Sequence, residues 1–134
     1  MKEEIKILKS FLTVDSPAVL LTPCELKNKD WVSELNYSEI KCTSLDCQEE
    51  DKDCIKMNPQ GLYLPLHRFH AWIIDPEYFI YTPGYAFYLG RSSLKEFGII
   101  ALTSLVDDAM DSIALSYGFQ ILHHGNWHYY LKAT

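Results

Sequence analysis

The stretch from Thr103 to Lys132 constrains the fold most, because its local signals all describe one unit, a helix that feeds a hairpin. Ser104 stands three residues before Asp107, the spacing of a capping box, in which a hydroxyl takes a first-turn amide and a carboxylate reaches back. Asp107 and Asp108 then fall where the helix dipole favours negative charge. Leu105, Ala109 and Ile113 recur at four-residue spacing, flanked by Val106, Met110, Ala114 and Tyr117, so the pattern predicts an amphipathic helix from Leu105 to Tyr117. Gly118 suits a left-handed C-terminal cap, and Phe119 supplies the apolar residue that packs back on it. Phe119 to Leu122 and Trp127 to Leu131 read as two strands joined around Gly125-Asn126.

At 134 residues the chain fits one domain, residues 1–134, and can bury a core without metal or disulfide staples. No apolar run approaches the roughly 20 residues that cross a bilayer, and the charged Met1-Lys2-Glu3-Glu4 start lacks the apolar core of a secretory signal. The expectation is a soluble cytoplasmic protein. Its formal net charge is −6, with Arg68 and Arg91 its only arginines, which argues against a surface that tracks nucleic-acid phosphates. Cys24, Cys42, Cys47 and Cys54 allow three pairings; without a secretory signal they are expected as free thiols. Cys42-x4-Cys47-x6-Cys54 lacks the tight Cys-x2-Cys knuckle of structural zinc sites, so no metal is assigned.

Upstream, Glu3 to Leu12 predicts an amphipathic helix with Ile5, Leu8 and Leu12 on one face, while Ala18 to Leu21 is too short to decide between helix and strand. Asp30 to Leu35 suggests a short helix and Tyr37 to Cys42 a strand. Leu45 to Asp53 sets Asp46, Glu49, Glu50, Asp51 and Asp53 against Lys52 alone, an acidic loop. Asn58-Pro59-Gln60-Gly61 is a turn. Beyond it the aromatic-rich pieces Leu62 to Leu66, Phe69 to Ile74, Tyr78 to Tyr81 and Tyr85 to Leu89 read as an antiparallel meander. Ile99 to Leu102 reads as a buried strand entering the terminal helix. The fold expected is therefore α+β: a mainly antiparallel sheet with helices packed on one face, and a C-terminal helix followed by a β-hairpin.

No catalytic residue follows from these patterns. His67 and His70 would point to opposite faces of an extended strand. His123, His124 and His128 gather at the terminal hairpin, where His124 and His128 can meet across the turn. No Gly-x-Ser-x-Gly elbow, Walker loop or Gly-x-Gly-x-x-Gly fingerprint is present.

Ser112-Ile113-Ala114-Leu115-Ser116-Tyr117-Gly118-Phe119, with a terminal element ending Tyr129-Tyr130-Leu131, resembles the closing segment of GNAT-type N-acyltransferases. Pro83-Gly84-Tyr85 and the run from Gly90 to Glu96 resemble that family's cofactor turn and following helix. The resemblance implies an N-acyltransferase with acetyl-CoA near Tyr85 to Arg91. Against it, Tyr85 to Leu89 is bulky where the family's pyrophosphate turn is glycine-rich. The favoured expectation is a protein that binds a basic protein partner, an inhibitor or immunity-type protein without cofactor. Asp46, Glu49, Glu50, Asp51, Asp53, Tyr85 and Tyr88 would be its contact residues.

Overall fold

Alternation along the central strands sends apolar side chains to both faces of the sheet. The computed structural model describes residues 2–12, 17–105 and 108–133. Its elements are α1 (Lys2–Phe11), β1 (Ala18–Pro23), α2 (Cys24–Lys27), β2 (Tyr37–Ser44), β3 (Cys54–Lys56), β4 (Phe69–Ile74), α3 (Pro83–Ser93), β5 (Leu94–Leu102), α4 (Met110–Ser116), β6 (Phe119–His124) and β7 (His128–Lys132). Leu20, Ala71, Ile73, Ile99, Ala101 and Tyr129 pack on one face with Ile5 and Leu8 of α1. Leu21, Trp72, Ile74, Ile100, Leu102 and Tyr130 pack on the other with Ala86 and Phe87 of α3 and Met110 and Ala114 of α4.

The strands lie in the order β3-β2-β1-β4-β5-β7-β6. β3, β2, β1, β4 and β5 run parallel, and β7 is inserted antiparallel between β5 and β6. A mainly antiparallel sheet with helices on one face is thus overturned: the sheet is mixed, mostly parallel and covered on both sides. Strands buried on both faces read as continuous apolar runs rather than alternations. Ala18 to Leu21 and Ile99 to Leu102 are such runs.

The expected meander fails for a local reason. Phe69–Ile74 is a strand, but Tyr85 to Leu89 lies inside α3, opened by Pro83 after an extended Thr82. Proline is tolerated at the first helical position, where its missing N–H costs nothing. Ala86, Phe87 and Gly90 then share the buried face. A Cβ at Gly90 would stand 2.9 Å from Ile100 Cδ1 and 3.1 Å from Phe119 Cζ, so glycine lets α3 lie close on the sheet. Tyr78 to Tyr81 holds the end of a 3-10 turn, Pro76–Tyr78, capped by Asp75 Oδ1 accepting from Glu77 N at 3.0 Å.

The terminal unit is shorter than expected. The helix starts at Met110, Ala109 is exposed and Leu105 is 40% exposed. Val106 and Asp107 lie outside the described residues, and the capping box with them. The buried face is Met110 and Ala114, with Ile113 and Tyr117 half-buried, so the stripe through Leu105 and Ala109 is corrected and Ile113 is not a core position. Gly118 does take the left-handed conformation, at φ 85°, and the hairpin follows.

Two side chains tie distant parts of the chain together. Glu4, 3% exposed, accepts hydrogen bonds from Trp127 N at 2.8 Å and Tyr129 Oη at 2.9 Å, fastening α1 to the hairpin. His70 Nδ1 accepts from Val19 N at 2.8 Å, joining β4 to the start of β1. Hydrogen bonds to a charged group contribute about 1.5–3 kcal/mol. Glu4→Ala should therefore lower unfolding free energy by about 2 kcal/mol or more in denaturant titration, and an unchanged midpoint would refute the latch. Burial, aided by Lys95, holds His70 below its ordinary pKa of 6.5. The unfolded chain then takes up the proton first. This contribution is complete above pH 6.5 and is lost as pH falls through the lower folded value. His70→Asn keeps an acceptor but cannot titrate, so its melting temperature should fall less than wild type's between neutral and mildly acidic pH.

Candidate functional site

Open α/β sheets bind ligands outside the carboxyl ends of their strands, where the strand order reverses. Here the reversal lies between β1 and β4. β6 runs with β5 because each is antiparallel to β7. One edge of the sheet therefore collects Cys24 after β1, Ser44 at the end of β2, Asp75 after β4, Thr103 after β5, His124 at the end of β6 and His128 at the start of β7. His128 pairs with Leu102, the last residue of β5.

At that edge four side chains form one hydrogen-bond chain. Tyr130 Oη donates to Asp111 Oδ1 at 2.8 Å, and Asp111 Oδ2 lies 3.0 Å from His124 Nε2. His124 Nδ1 lies 2.7 Å from His128 Nδ1. Asp111 belongs to the first turn of α4, and the hairpin register sets His124 opposite His128. With an ionised carboxylate and both rings neutral, the proton positions follow. His124 Nε2–H donates to Asp111, which leaves Nδ1 of neutral His124 as an acceptor, so His128 donates from Nδ1. Neutral His128 then keeps an unprotonated Nε2, the basic end of the chain, with no hydrogen-bond partner among the described residues. Burial, with His124 and His123 adding to it, lowers the His128 pKa against the opposing pull of Asp111 and Glu4. A histidine held below 6.5 is an unprotonated base at neutral pH. Burial and the bond to Asp111 raise the Tyr130 phenol, which stays a donor.

The same edge carries the sulfurs. Register sets Thr22 beside Cys42 and Cys42 beside Cys54, and the loops bring in the rest. Cys24 is bridged to Cys42 and Cys47 to Cys54, with Cα separations of 4.7 and 5.7 Å, so the four free thiols expected from composition are replaced by two disulfides.

The other expected site residues fall elsewhere. Asp46, Glu49, Glu50, Asp51 and Asp53 are exposed on the loop from β2 to β3. Asp53 lies 3.6 Å from Lys41 Nζ, and Asp51 Oδ1 accepts from Asp53 N at 3.0 Å. Tyr85 and Tyr88 stack at 5.9 Å on α3 and line a groove of about 500 Å³ with Ile113 of α4 and Tyr117 just after it. His67 is exposed with a positive φ, and His70 serves β1, so the two form no ligand pair. Asp111 and Tyr130 were not singled out by sequence, since an acid in a first helical turn and an apolar-looking tyrosine in a strand both have ordinary structural uses. The His124 and His128 pair was the one signal of this site.

The acyltransferase resemblance does not survive. A helix ending in Gly118-Phe119 does lead into the last strands, but Pro83 to Gly90 is helix, with no glycine-rich turn to hold acetyl-CoA. No helix among the described residues is long and apolar enough to cross a membrane.

No protein-family model and no curated protein matches this sequence. Solved structures do match its fold. The 1,6-didemethyltoxoflavin-N1-methyltransferase of Burkholderia thailandensis is 13% identical with a TM-score of 0.61, over 96% of this chain and 74% of that one. The tRNA (m1A58) methyltransferase of Aquifex aeolicus is 12% identical with a TM-score of 0.60, over 97% of this chain and 68% of that one. A 4+2 cyclase is 14% identical with a TM-score of 0.61 over 91% of this chain, which spans only 58% of that enzyme. Identities this low show fold alone. They give no support to the inhibitor or immunity expectation, and the sheet they match is similar to that of Rossmann-like methyltransferases.

Proposed function

We propose that this methyltransferase-type sheet carries out proton transfer on a small polar ligand at its carboxyl edge, with His128 Nε2 as the general base. The observation that carries the reading is the chain of Asp111, His124 and His128, because with both rings neutral it sets both tautomers and leaves one basic nitrogen without a partner among the described residues. Proton uptake at His128 Nε2 makes an imidazolium whose Nδ1 proton can pass to His124, toward the Asp111 carboxylate. Asp111 stabilises that cation and Tyr130 holds Asp111 in place. His124, Asp111 and Tyr130 are positioning residues in this scheme.

Several neighbours are named for S-adenosylmethionine or found with its product. The residues at the corresponding edge do not fit that cofactor. A nucleotide approaches the first strand over glycines whose missing side chains let the backbone come close. Here β1 ends at Pro23 and is followed by Cys24-Glu25-Leu26, and the glycines lie at 61, 84, 90, 98, 118 and 125. The Cys24–Cys42 bridge further ties the end of β1 to β2. The fold is used for more than one activity, the cyclase among its neighbours being an instance. We retain the cytoplasm as its place of action, a compartment in which both bridges would be reduced.

Histidine proton resonances followed through a pH titration test the assignment. His128 should titrate below 6.5, and Asp111→Asn should lower its pKa further, since Asp111, together with Glu4, raises it. A His128 that titrates above 6.5, or one indifferent to Asp111→Asn, would sink the general-base role. Calorimetry with S-adenosylmethionine and with S-adenosylhomocysteine should give no saturable heat; micromolar binding of either would overturn the cofactor-free reading.

A further inference from the structure

The four cysteine sulfurs form a cluster that neither the fold nor the acid–base site requires. Cys24 Sγ lies 3.6 Å from Cys54 Sγ, although each is bonded to a different partner. The sulfurs of Cys24, Cys42 and Cys54 all lie within 4.8 Å of one another, and Cys47 is attached to the third of them. In a tetrahedral thiolate site with metal–sulfur bonds of about 2.3 Å, neighbouring sulfurs are about 3.8 Å apart. The unbonded pair already has that spacing. Each bonded pair would have to part by about 1.7 Å, within the swing of a rotating cysteine side chain.

We propose that, once reduced, Cys24, Cys42, Cys47 and Cys54 bind one thiophilic divalent cation of the zinc class, and that the two disulfides are the metal-free oxidised form of the same site. The scaffold is already in place. Cys42 is buried, Cys24 opens α2, and Cys47 and Cys54 lie on the acidic loop and at its end. A divalent cation with four thiolates carries two negative charges. Lys27 Nζ and Lys41 Nζ stand 4.0 and 3.6 Å from the carboxylate of Asp53, the neighbour of Cys54, and supply nearby positive charge. Opening needs a reductant, for which a dithiol suffices. Each bridge accepts two electrons and two protons, giving two thiols while a dithiol becomes a disulfide. The cation then displaces four protons as the four thiols become thiolate ligands.

The sequence pattern did not expose this site, because the ligands come from three separate segments, α2, β2 and the loop into β3, instead of two close pairs. It is independent of His124 and His128, so either proposal can fail alone.

The test uses the full chain, reduced under anaerobic conditions with a phosphine that is then removed, and cobalt(II) and zinc(II) as probes. Expected are one cobalt per chain with thiolate-to-cobalt charge-transfer and tetrahedral d–d bands, bleached by zinc, and none with the oxidised protein. Cys47→Ser should weaken cobalt binding at least about tenfold, since even the loss of a ligand's outer partner costs about 10- to 100-fold. Circular dichroism of the reduced chain accompanies the titration. If the reduced chain unfolds and zinc restores the spectrum, the proposal stands. If the folded chain shows no thiolate band, if zinc fails to restore an unfolded one, or if Cys47→Ser binds like wild type, it is overturned.

Discussion

Burial of both faces of the sheet is the constraint from which the rest follows. A strand at the centre of such a sheet has no solvent side, so its residues must be apolar in succession, and Ile99-Ile100-Ala101-Leu102 is built that way. Covering two faces requires elements from both ends of the chain. α1 comes from the start and closes one side through Ile5 and Leu8, while α3 and α4 close the other. Glu4 belongs to the same requirement. Its carboxyl group is drawn inside with α1, and it finds donors in the backbone of Trp127 and the hydroxyl of Tyr129. An uncompensated carboxyl there would offset much of what the apolar contacts contribute.

Parallel strands in turn create a carboxyl edge on which function can be placed. β6 returns the chain to that edge and the antiparallel β7 leaves it, so His124 and His128, four residues apart, both sit there, with His128 beside Leu102. Asp111 reaches them because α4 begins at the same end of the sheet. Its two oxygens divide between His124 and Tyr130, which leaves the carboxylate little freedom to turn. The hydrogen-bond chain thus runs from the fully buried Tyr130 out to the half-buried His128.

Two of the neighbours in fold described above are methyltransferases, yet what distinguishes them as such is a site, and sites are grafted on folds. Near the end of β1 this chain has sulfur where a nucleotide-binding sheet carries glycine. Two bridges draw α2, β2, β3 and the acidic loop together at one edge of the sheet. The exposed carboxylates of that loop find a local use, in that Asp53 engages Lys27 and Lys41, and Asp51 orders the backbone at Asp53.

Local chemistry alone determined α1, the strand Phe69–Ile74, the turn at Asn58 to Gly61, the left-handed Gly118 and the hairpin after it. Each depends on neighbours within a few residues. It also showed that His124 and His128 can meet across the turn. Tertiary structure decided what those signals left open. Strand direction is invisible to hydropathy, because a buried parallel strand and a buried antiparallel one have the same composition. Tyr85 to Leu89 became helix because its buried face pairs Ala86 and Phe87 with Gly90, a contact with Ile100 and Phe119 that no local window contains. Asp111 joined the histidines, and Cys24 met Cys42 and Cys54, only through the packing of elements remote in sequence. A site assembled from separate segments leaves no spacing for sequence to read.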